Sequence, residues 1–246
     1  MVNNSTREHF EKNVFPLIEK VIEQSLSQSP EQTDIFMKII EGNQVILEEL
    51  YREDGPPRIL AEMLYNYYAS FVMASQGFYR YALISLRSNI ELACYYSYFK
   101  CNPESFSSWD SDGHHINFDT VLKGIFNIPD HVIIGKTPGF SKGCKIDVAL
   151  RKLYYDILSP ATHGRGVKFR QSSKYGIGIE YNQEEFSSFI KILHDVYSVT
   201  TTLILTLECY DLLKVDPRRI ASSVKGINSE VQTILFEAIP DYKRGL

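Results

Sequence analysis

The sequence contains one stretch whose side chains have the types and spacing needed for proton transfer. In LYYDILSPATHG, residues 153–164, helical spacing places Tyr155 and Ser159 on one face, and one further turn brings His163 near them. Histidine is the side chain most often used for proton transfer near neutral pH. A purely structural role of His163 explains the pattern equally well, since a histidine in the last turn followed by a glycine commonly ends a helix. The spacing leaves both interpretations open.

A second stretch, residues 78–99, has apolar residues almost all the way round a helix, which is typical of a buried central helix. It nevertheless contains Arg80, Arg87 and Glu91, and steps of seven and four place them on about one face. Buried charges need partners, because an unpaired ion away from water is costly. Two interpretations follow. Arg87 and Glu91 form a structural pair, or Glu91 orients Arg87 toward a phosphate, which a guanidinium binds bidentately.

Positive charge is concentrated in residues 142–174, which carry eight basic and two acidic residues in a chain of net charge −4. The overall negative charge argues against a protein that coats nucleic acid through its total charge. The basic segment is either a solvated helix face followed by a strand edge protected by lysines, or a local phosphate-binding surface. Its residues after His163 include Arg165, Lys168 and Arg170.

Several functional classes lack their sequence signatures. The chain has no glycine-rich phosphate loop, no GxSxG and no HExxH motif, and its four cysteines form no CxxC pair. The acids and histidines of residues 109–115 could chelate a metal, but polar loops often contain such clusters, so we predict no metal and no cofactor.

The apolar stretch between Asp195 and Glu208 has 12 uncharged residues, short of the roughly 20 that span a bilayer. We therefore expect a cytoplasmic protein that does not bind membranes.

Helical periodicity covers most of the chain and predicts an all-α fold, a bundle of about six main helices. Residues 102–143 are rich in Ser, Asp, Gly and Pro and are expected to be mostly irregular, apart from a short helical pattern in FDTVLKGIF. The alternation in VKFRQ and GIGIEYN predicts one small β-hairpin after the fifth helix. The main helices are predicted at about residues 5–26, 30–50, 58–75, 78–101, 146–158 and 183–213.

These elements suggest three parts. Residues 1–57 form an N-terminal helical pair that packs on the bundle. Residues 58–213 form the bundle itself, including the irregular insertion 102–143 and the hairpin 166–182, and residues 214–246 form a C-terminal tail of short helices.

The segments GFYRYALISLRSNIE and LYYDILSPATHG together resemble the HEPN superfamily (higher eukaryotes and prokaryotes nucleotide-binding). They look like divergent prokaryotic branches that carry an arginine–glutamate helix and a later helix ending in Ser-x-x-x-His. The resemblance covers about residues 58–213 and implies a helical bundle, usually dimeric, of the kind found in RNases of toxin–antitoxin and phage-defence systems. It suggests His163, Arg87 and Glu91 as candidate catalytic residues, and as candidate substrate-binding residues Arg80, Tyr155, Ser159, Arg165, Lys168 and Arg170.

The chain departs from the nuclease members, which carry an arginine separated from the histidine by four to six residues. The corresponding positions before His163 are Leu158, Ile157 and Asp156. An arginine from the neighbouring helix, Arg87 or Arg80, could occupy the same space. We therefore weigh two functions within an antiviral defence or toxin–antitoxin module.

The first is a metal-independent RNase or RNA-binding subunit, with His163 as general base and Arg87 stabilising the phosphate. The second is a non-catalytic scaffold or antitoxin-like subunit that binds a nucleotide or a partner protein from the same operon. In either case the resemblance implies a homodimer.

Overall fold

The computed structural model describes residues 4–113, 116–126, 145–163, 172–173, 176–177, 179–212 and 214–246. Helices account for nearly all of the regular structure in these ranges, which confirms the all-α class. The helices are α1 (Asn4–His9), α2 (Phe15–Ser27), α3 (Pro30–Leu50), α4 (Ile59–Ser75), α5 (Tyr79–Cys101), α6 (Pro103–Asp112), α7 (Phe118–Phe126), α8 (Lys145–Arg151), α9 (Ser159–Thr162), α10 (Gln183–Leu207), α11 (Cys209–Leu212), α12 (Pro217–Lys225) and α13 (Ser229–Ala238).

The N-terminal helices follow each other with little interruption. A π-helical segment, Phe10–Val14, joins α1 to α2 without a break, and Pro30 occupies the first turn of α3, where its missing N–H leaves no hydrogen bond unmade. A 3₁₀ turn, Pro56–Arg58, leads into α4. Gly77 turns the chain from α4 into α5 with a φ of 83°, a conformation that favours glycine. A Cβ at Gly77 would also lie 2.9 Å from the carbonyl oxygen of Glu180.

In its described residues, the segment 102–143, which was expected to be mostly irregular, contains two helices. The sequence predicted α7 from its periodicity, but the expectation was wrong for α6. α6 begins with a proline in its first turn and ends at Gly113, whose left-handed conformation stops the helix. Its two aromatic residues, Phe106 and Trp109, pack against Phe99 with ring centroids 5.4 and 5.2 Å apart. Packing of these two rings positions a helix whose other residues are mostly polar.

The fifth predicted helix is continuous but irregular at its centre. It spans residues 145–162 and is called the rod below. α8 passes into a π-helical segment, Lys152–Leu158, and then into α9. The N–H of Ser159 donates to the carbonyl of Tyr154, five residues back, and Pro160 has no N–H to donate. π-helical turns widen a helix locally and occur often at functional sites.

The predicted hairpin falls mostly outside the described residues. β1 (Ser172–Ser173) pairs antiparallel with β2 (Gly176–Ile177), with Ser172 opposite Ile177 and Ser173 opposite Gly176.

α10 and α5 form the centre of the core. From Val196 to Leu207 every residue of α10 is buried, and α5 buries Leu86, Ile90 and Phe99 completely. The predicted helix 183–213 ends earlier than expected, at Leu207, and α11 follows. Among the described helices, α10 alone is long and apolar enough to cross a membrane by length and composition, and 78% of its most apolar 18 residues are buried in the structure.

Glu208, where α10 ends, is a buried carboxylate bound by two groups of α5. Lys100 Nζ donates to its Oε2 at 2.9 Å, and the Tyr96 hydroxyl donates to its Oε1 at 2.5 Å. The Glu208 side chain is 1% exposed, whereas that of Lys100 is 41% exposed. The ion pair therefore joins the C-terminal ends of the two central helices.

We expect Lys100→Met to lower the free energy of unfolding by about 3 kcal/mol, because it leaves the Glu208 carboxylate buried without its cation. Chemical denaturation at neutral pH measures the loss. The double variant Lys100→Met/Glu208→Gln should recover most of it, since neither charge remains. Equal losses in the single and double variants would contradict a charge-based origin.

Candidate functional site

The candidate residues that the structure describes lie on or at the end of two helices, which run antiparallel and pack side by side. Arg80, near the start of α5, contacts residues 161–162, whereas Arg87, two turns further along α5, contacts Tyr154. Moving seven residues forward on α5 thus corresponds to moving about seven residues back on the α8–α9 rod. This antiparallel register decides which arginine lies near His163.

Arg80 holds the C-terminal end of the rod. Its Nε donates to the carbonyl of Ala161 and its Nη2 to the carbonyl of Thr162, both at 3.1 Å. These carbonyls belong to the last turn of a helix, where intrahelical donors are missing, and a cation there also stabilises the negative end of the helix dipole. His163 follows directly, with its N–H donating to the carbonyl of Ser159 at 3.1 Å and its side chain exposed. A guanidinium is thereby fixed beside the backbone that carries an exposed imidazole.

Arg87 lies elsewhere, in a cluster with Glu91 and Tyr154. The Arg87 guanidinium is 3.0 Å from Glu91 Oε1 and 4.7 Å from the centre of the Tyr154 ring, and it donates to the Tyr154 hydroxyl. The same hydroxyl donates to Glu91 Oε1 at 2.7 Å. Tyr154 precedes His163 by nine residues, about 13 Å of helix rise. The sequence left Arg87 or Arg80 as the arginine near His163 and used Arg87 in the proposed reaction. The structure puts Arg80 at the helix end next to His163, and Arg87 lies two turns away.

The environment of Tyr154 keeps its hydroxyl protonated. Burial raises the pKa of Tyr154 above its ordinary value, and the hydrogen bond to Glu91 together with that carboxylate's charge raises it further. The Tyr154 ring also packs on Phe118 of α7 at 4.2 Å between centroids. Tyr154 is therefore a neutral donor to Glu91 that also joins α5 and α7 to the rod. Sequence reasoning missed it because its role depends on contacts between three helices.

The other predicted residues of the rod are close to His163 in sequence but bind different groups. The Tyr155 hydroxyl donates to the carboxylate of Asp119 on α7, and burial together with this bond raises the pKa of Tyr155 to about 12. Ser159 is half-buried, one turn before His163. In the π-helical segment four residues make less than a full turn, so Tyr155 is rotated away from the face that ideal α-helical spacing predicts.

The predicted basic surface is described only in its first half. Arg151 pairs with Asp147 at 2.6 Å and Lys145 pairs with Glu237 at 3.6 Å, while Lys152 is exposed. The predicted phosphate contacts Arg165, Lys168 and Arg170 lie outside the described residues. In the described part, two of three basic side chains are therefore used in ion pairs.

A groove of about 1440 Å³ runs beside the rod, between α5, α8, α10 and α13. Its apolar floor includes Leu83, Leu153 and Phe189. Charged side chains of both signs line it from each side. Those from α5 and the rod are Arg80, Lys145, Lys152 and Asp156, and those from α10 and α13 are Glu184, Glu185, Lys191, Asp195 and Glu230. Burial raises the pKa values of Glu185 and Asp195. No sequence pattern indicated that these segments meet.

The described residues contain no group of three or more side chains from His, Cys, Asp and Glu that could hold a metal ion. Asp110, from the polar stretch considered for metal binding, forms an ion pair with Arg58. His114 and His115 of the same stretch lie outside the described residues.

We expect Arg87→Met to lower the free energy of unfolding by about 2 kcal/mol, because Glu91 then keeps a half-buried charge without its cation. Adding Glu91→Met should recover part of the loss in a thermal or chemical melt. Unchanged stability in Arg87→Met would contradict a structural role for the pair.

Comparison with known proteins leaves the site to be interpreted from its own geometry. No family model, no curated protein and no solved structure matches this chain.

Proposed function

We propose that the chain is a HEPN-like RNA-binding protein of a prokaryotic antiviral defence or toxin–antitoxin module, and that His163 acts as general base in metal-independent RNA cleavage. The observation that carries the proposal is the exposed imidazole of His163 directly after a helix end that is bound by the Arg80 guanidinium. A base and a cation at one accessible helix end are the two groups that cleavage of RNA through its own 2′-hydroxyl requires.

In this proposal the reaction is an internal transfer. His163 takes the proton of a ribose 2′-hydroxyl, the 2′-oxygen bonds to the adjacent phosphorus, and the bond from phosphorus to the 5′-oxygen breaks. The leaving 5′-oxygen takes a proton from water. The products are a 2′,3′-cyclic phosphate and a 5′-hydroxyl, and the charge of Arg80 stabilises the negative charge that develops at phosphorus.

Arg80 supplies what the chain lacks in the superfamily's usual motif. The positions that would carry the motif arginine hold Leu158, Ile157 and Asp156. Arg80 reaches the same helix end from the neighbouring helix, through the carbonyls of Ala161 and Thr162. In the proposal, exposed Lys152 and the basic residues after His163 hold the strand by its phosphates.

Incubation of the chain with single-stranded RNA in the presence of EDTA tests the proposal. We expect RNA to be cut to products ending in cyclic phosphate and DNA of the same sequence to stay intact, because DNA has no 2′-hydroxyl. RNA binding should weaken steeply as salt rises, since phosphate contacts release counterions. Absence of both binding and cleavage would overturn the proposal.

A second candidate is a non-catalytic subunit that binds RNA, a nucleotide or a partner protein. The observation that favours it is that Arg80 and Arg87 both donate to groups of the protein itself, so both support the fold. RNA that is bound but left intact would indicate this function. If the chain binds neither RNA nor DNA, the remaining candidate function is that of a scaffold for a partner protein.

A further inference from the structure

The first turn of α5 is attached to two neighbouring elements. The Tyr79 hydroxyl donates to the carbonyl of Asn182 at 3.2 Å and accepts from the N–H of the same residue at 3.1 Å. Arg80 donates to the carbonyls of residues 161 and 162. The start of α5 is therefore fixed both to the residue before α10 and to the end of the rod, where His163 follows.

The turn that leads into α5 is held by its own backbone. The N–H of Gly77 donates to the carbonyl of Ala74 at 2.9 Å, and the N–H of Phe78 donates to the carbonyl of Met73 at 2.8 Å. These are the two bonds of the Schellman motif, which ends a helix in a defined conformation. The ring of Phe78 is half-buried at this turn. The backbone that carries Phe78 therefore has a fixed position relative to Arg80.

Tyr81 is the exposed aromatic side chain of the first turn of α5. It is 60% exposed, and its ring lies edge-to-face against that of Phe78, with centroids 6.4 Å apart and an angle of 75° between the planes. Successive residues of a helix point about 100° apart, so Tyr81 leaves α5 next to Arg80 but on the solvent side. The contact with Phe78 positions the Tyr81 ring, and most of the ring's surface remains open.

A single strand of nucleic acid offers two kinds of group to a protein. Its phosphates are bound by cations, and its unpaired bases stack on aromatic side chains, which single-strand-binding proteins place beside the cations. In the proposed reaction Arg80 and His163 act on the phosphate and the ribose at the end of the rod. The Tyr81 ring, on the residue next to Arg80, offers a surface for a base at the same end of the bundle.

We propose, on the basis of the proposed function, that a base next to the cleaved phosphate stacks on the ring of Tyr81, which Phe78 holds in place. Every base has a π-face, so stacking on one ring tolerates any of the four bases. The bases of a duplex are already paired and stacked, so they are not free to pack on Tyr81. The proposed site therefore takes unpaired RNA of mixed sequence and disfavours duplex RNA.

The affinity of the full chain for a short single-stranded RNA with methylated 2′-hydroxyls tests the stacking contact, because this RNA cannot be cleaved. We expect Tyr81→Ala and Tyr81→Leu each to raise the Kd about 10-fold, since both remove the ring. Tyr81→Phe keeps the ring and should change the Kd less than about 2-fold. Circular dichroism verifies that each variant stays folded.

The matched control is Tyr65→Ala, which removes a tyrosine that is 67% exposed. Tyr65 lies ten residues before the end of α4, about 15 Å back from the turn into α5. Its loss should leave the Kd for the same RNA unchanged.

Two further measurements separate stacking from charge. The slope of log affinity against log salt should be the same in Tyr81→Ala as in the original chain, because tyrosine neutralises no phosphate, whereas Lys152→Ala should reduce that slope by about 1. RNAs that lack one base at successive positions should include one that Tyr81→Ala and the original chain bind equally, because the ring then has no partner. That RNA identifies the stacked nucleotide.

The outcomes distinguish this contact from the proposed function. If the original chain binds and cuts RNA but Tyr81→Ala binds it as well as Tyr65→Ala does, the stacking contact is overturned and the proposed function stands. If the original chain binds no RNA, both are overturned. Duplex RNA bound as tightly as the single strand would overturn the preference for unpaired RNA.

Discussion

His163→Asn is expected to lower the rate of RNA cleavage at least about 100-fold, the usual contribution of a general base. The His163 side chain is exposed at the end of α9, so the substitution removes the base without opening a cavity. Exposed substitutions of this kind change the free energy of unfolding by less than about 0.5 kcal/mol. Single-turnover cleavage in EDTA, beside a thermal melt, measures both quantities on one sample.

The matched control is His9→Asn, which replaces another exposed histidine at the far N-terminus. It should leave the cleavage rate unchanged. Full activity in His163→Asn would remove His163 as the base, and equal losses in the two variants would show that the effect is not specific to His163.

Raising the pH above about 10 is expected to unfold the chain in a cooperative transition. Burial raises the pKa values of Tyr67, Tyr96, Tyr197 and Tyr242 above their ordinary value. In the unfolded chain these hydroxyls ionise near pH 10, so above that pH the unfolded state loses protons that the folded state retains. Each such tyrosine then lowers the free energy of unfolding by about 1.4 kcal/mol per pH unit, and the four together lower it by about 5.5 kcal/mol per pH unit. A domain with a typical stability of about 10 kcal/mol unfolds within a few pH units.

Tyrosinate absorbance recorded beside far-ultraviolet circular dichroism tests this prediction. The four buried tyrosines should ionise only as helicity is lost. Tyr81→Phe, which changes an exposed tyrosine, should leave the unfolding midpoint in place. Ionisation of nearly all tyrosines with full helicity would contradict the burial that the structure assigns to them.

The main helices could be predicted because their signals are local. Ser29-Pro30 starts α3, and Gly77 separates α4 from α5, so proline and glycine mark the boundaries where the structure has them. α6 carries the same boundary residues, Pro103 and Gly113, but apolar periodicity could not predict it, because its sequence is mostly polar and its position depends on Phe106 and Trp109 packing against a ring of another helix.

The candidate site was only partly predictable, because its geometry depends on how two helices align. Arg80 and Arg87 lie two turns apart on α5, and the sequence gives no reason to choose which of them lies near His163. Their order follows from the antiparallel register of α5 against the rod. The π-helical segment also changes which side chains share a face of the rod, so ideal helical spacing does not predict the face that carries Tyr155. Pro160 inside the helical pattern was the one local signal of that irregularity.

The most direct test of the proposed RNA site is the nuclear magnetic resonance signal of the His163 imidazole during titration with single-stranded RNA. The chain has six histidines, and His163→Asn assigns the signal by its disappearance. We expect the His163 signal to move on addition of RNA, while that of His194, whose ring bonds the Gly226 carbonyl at 2.9 Å, stays in place. RNA that binds without moving the His163 signal would contradict a site at the end of α9.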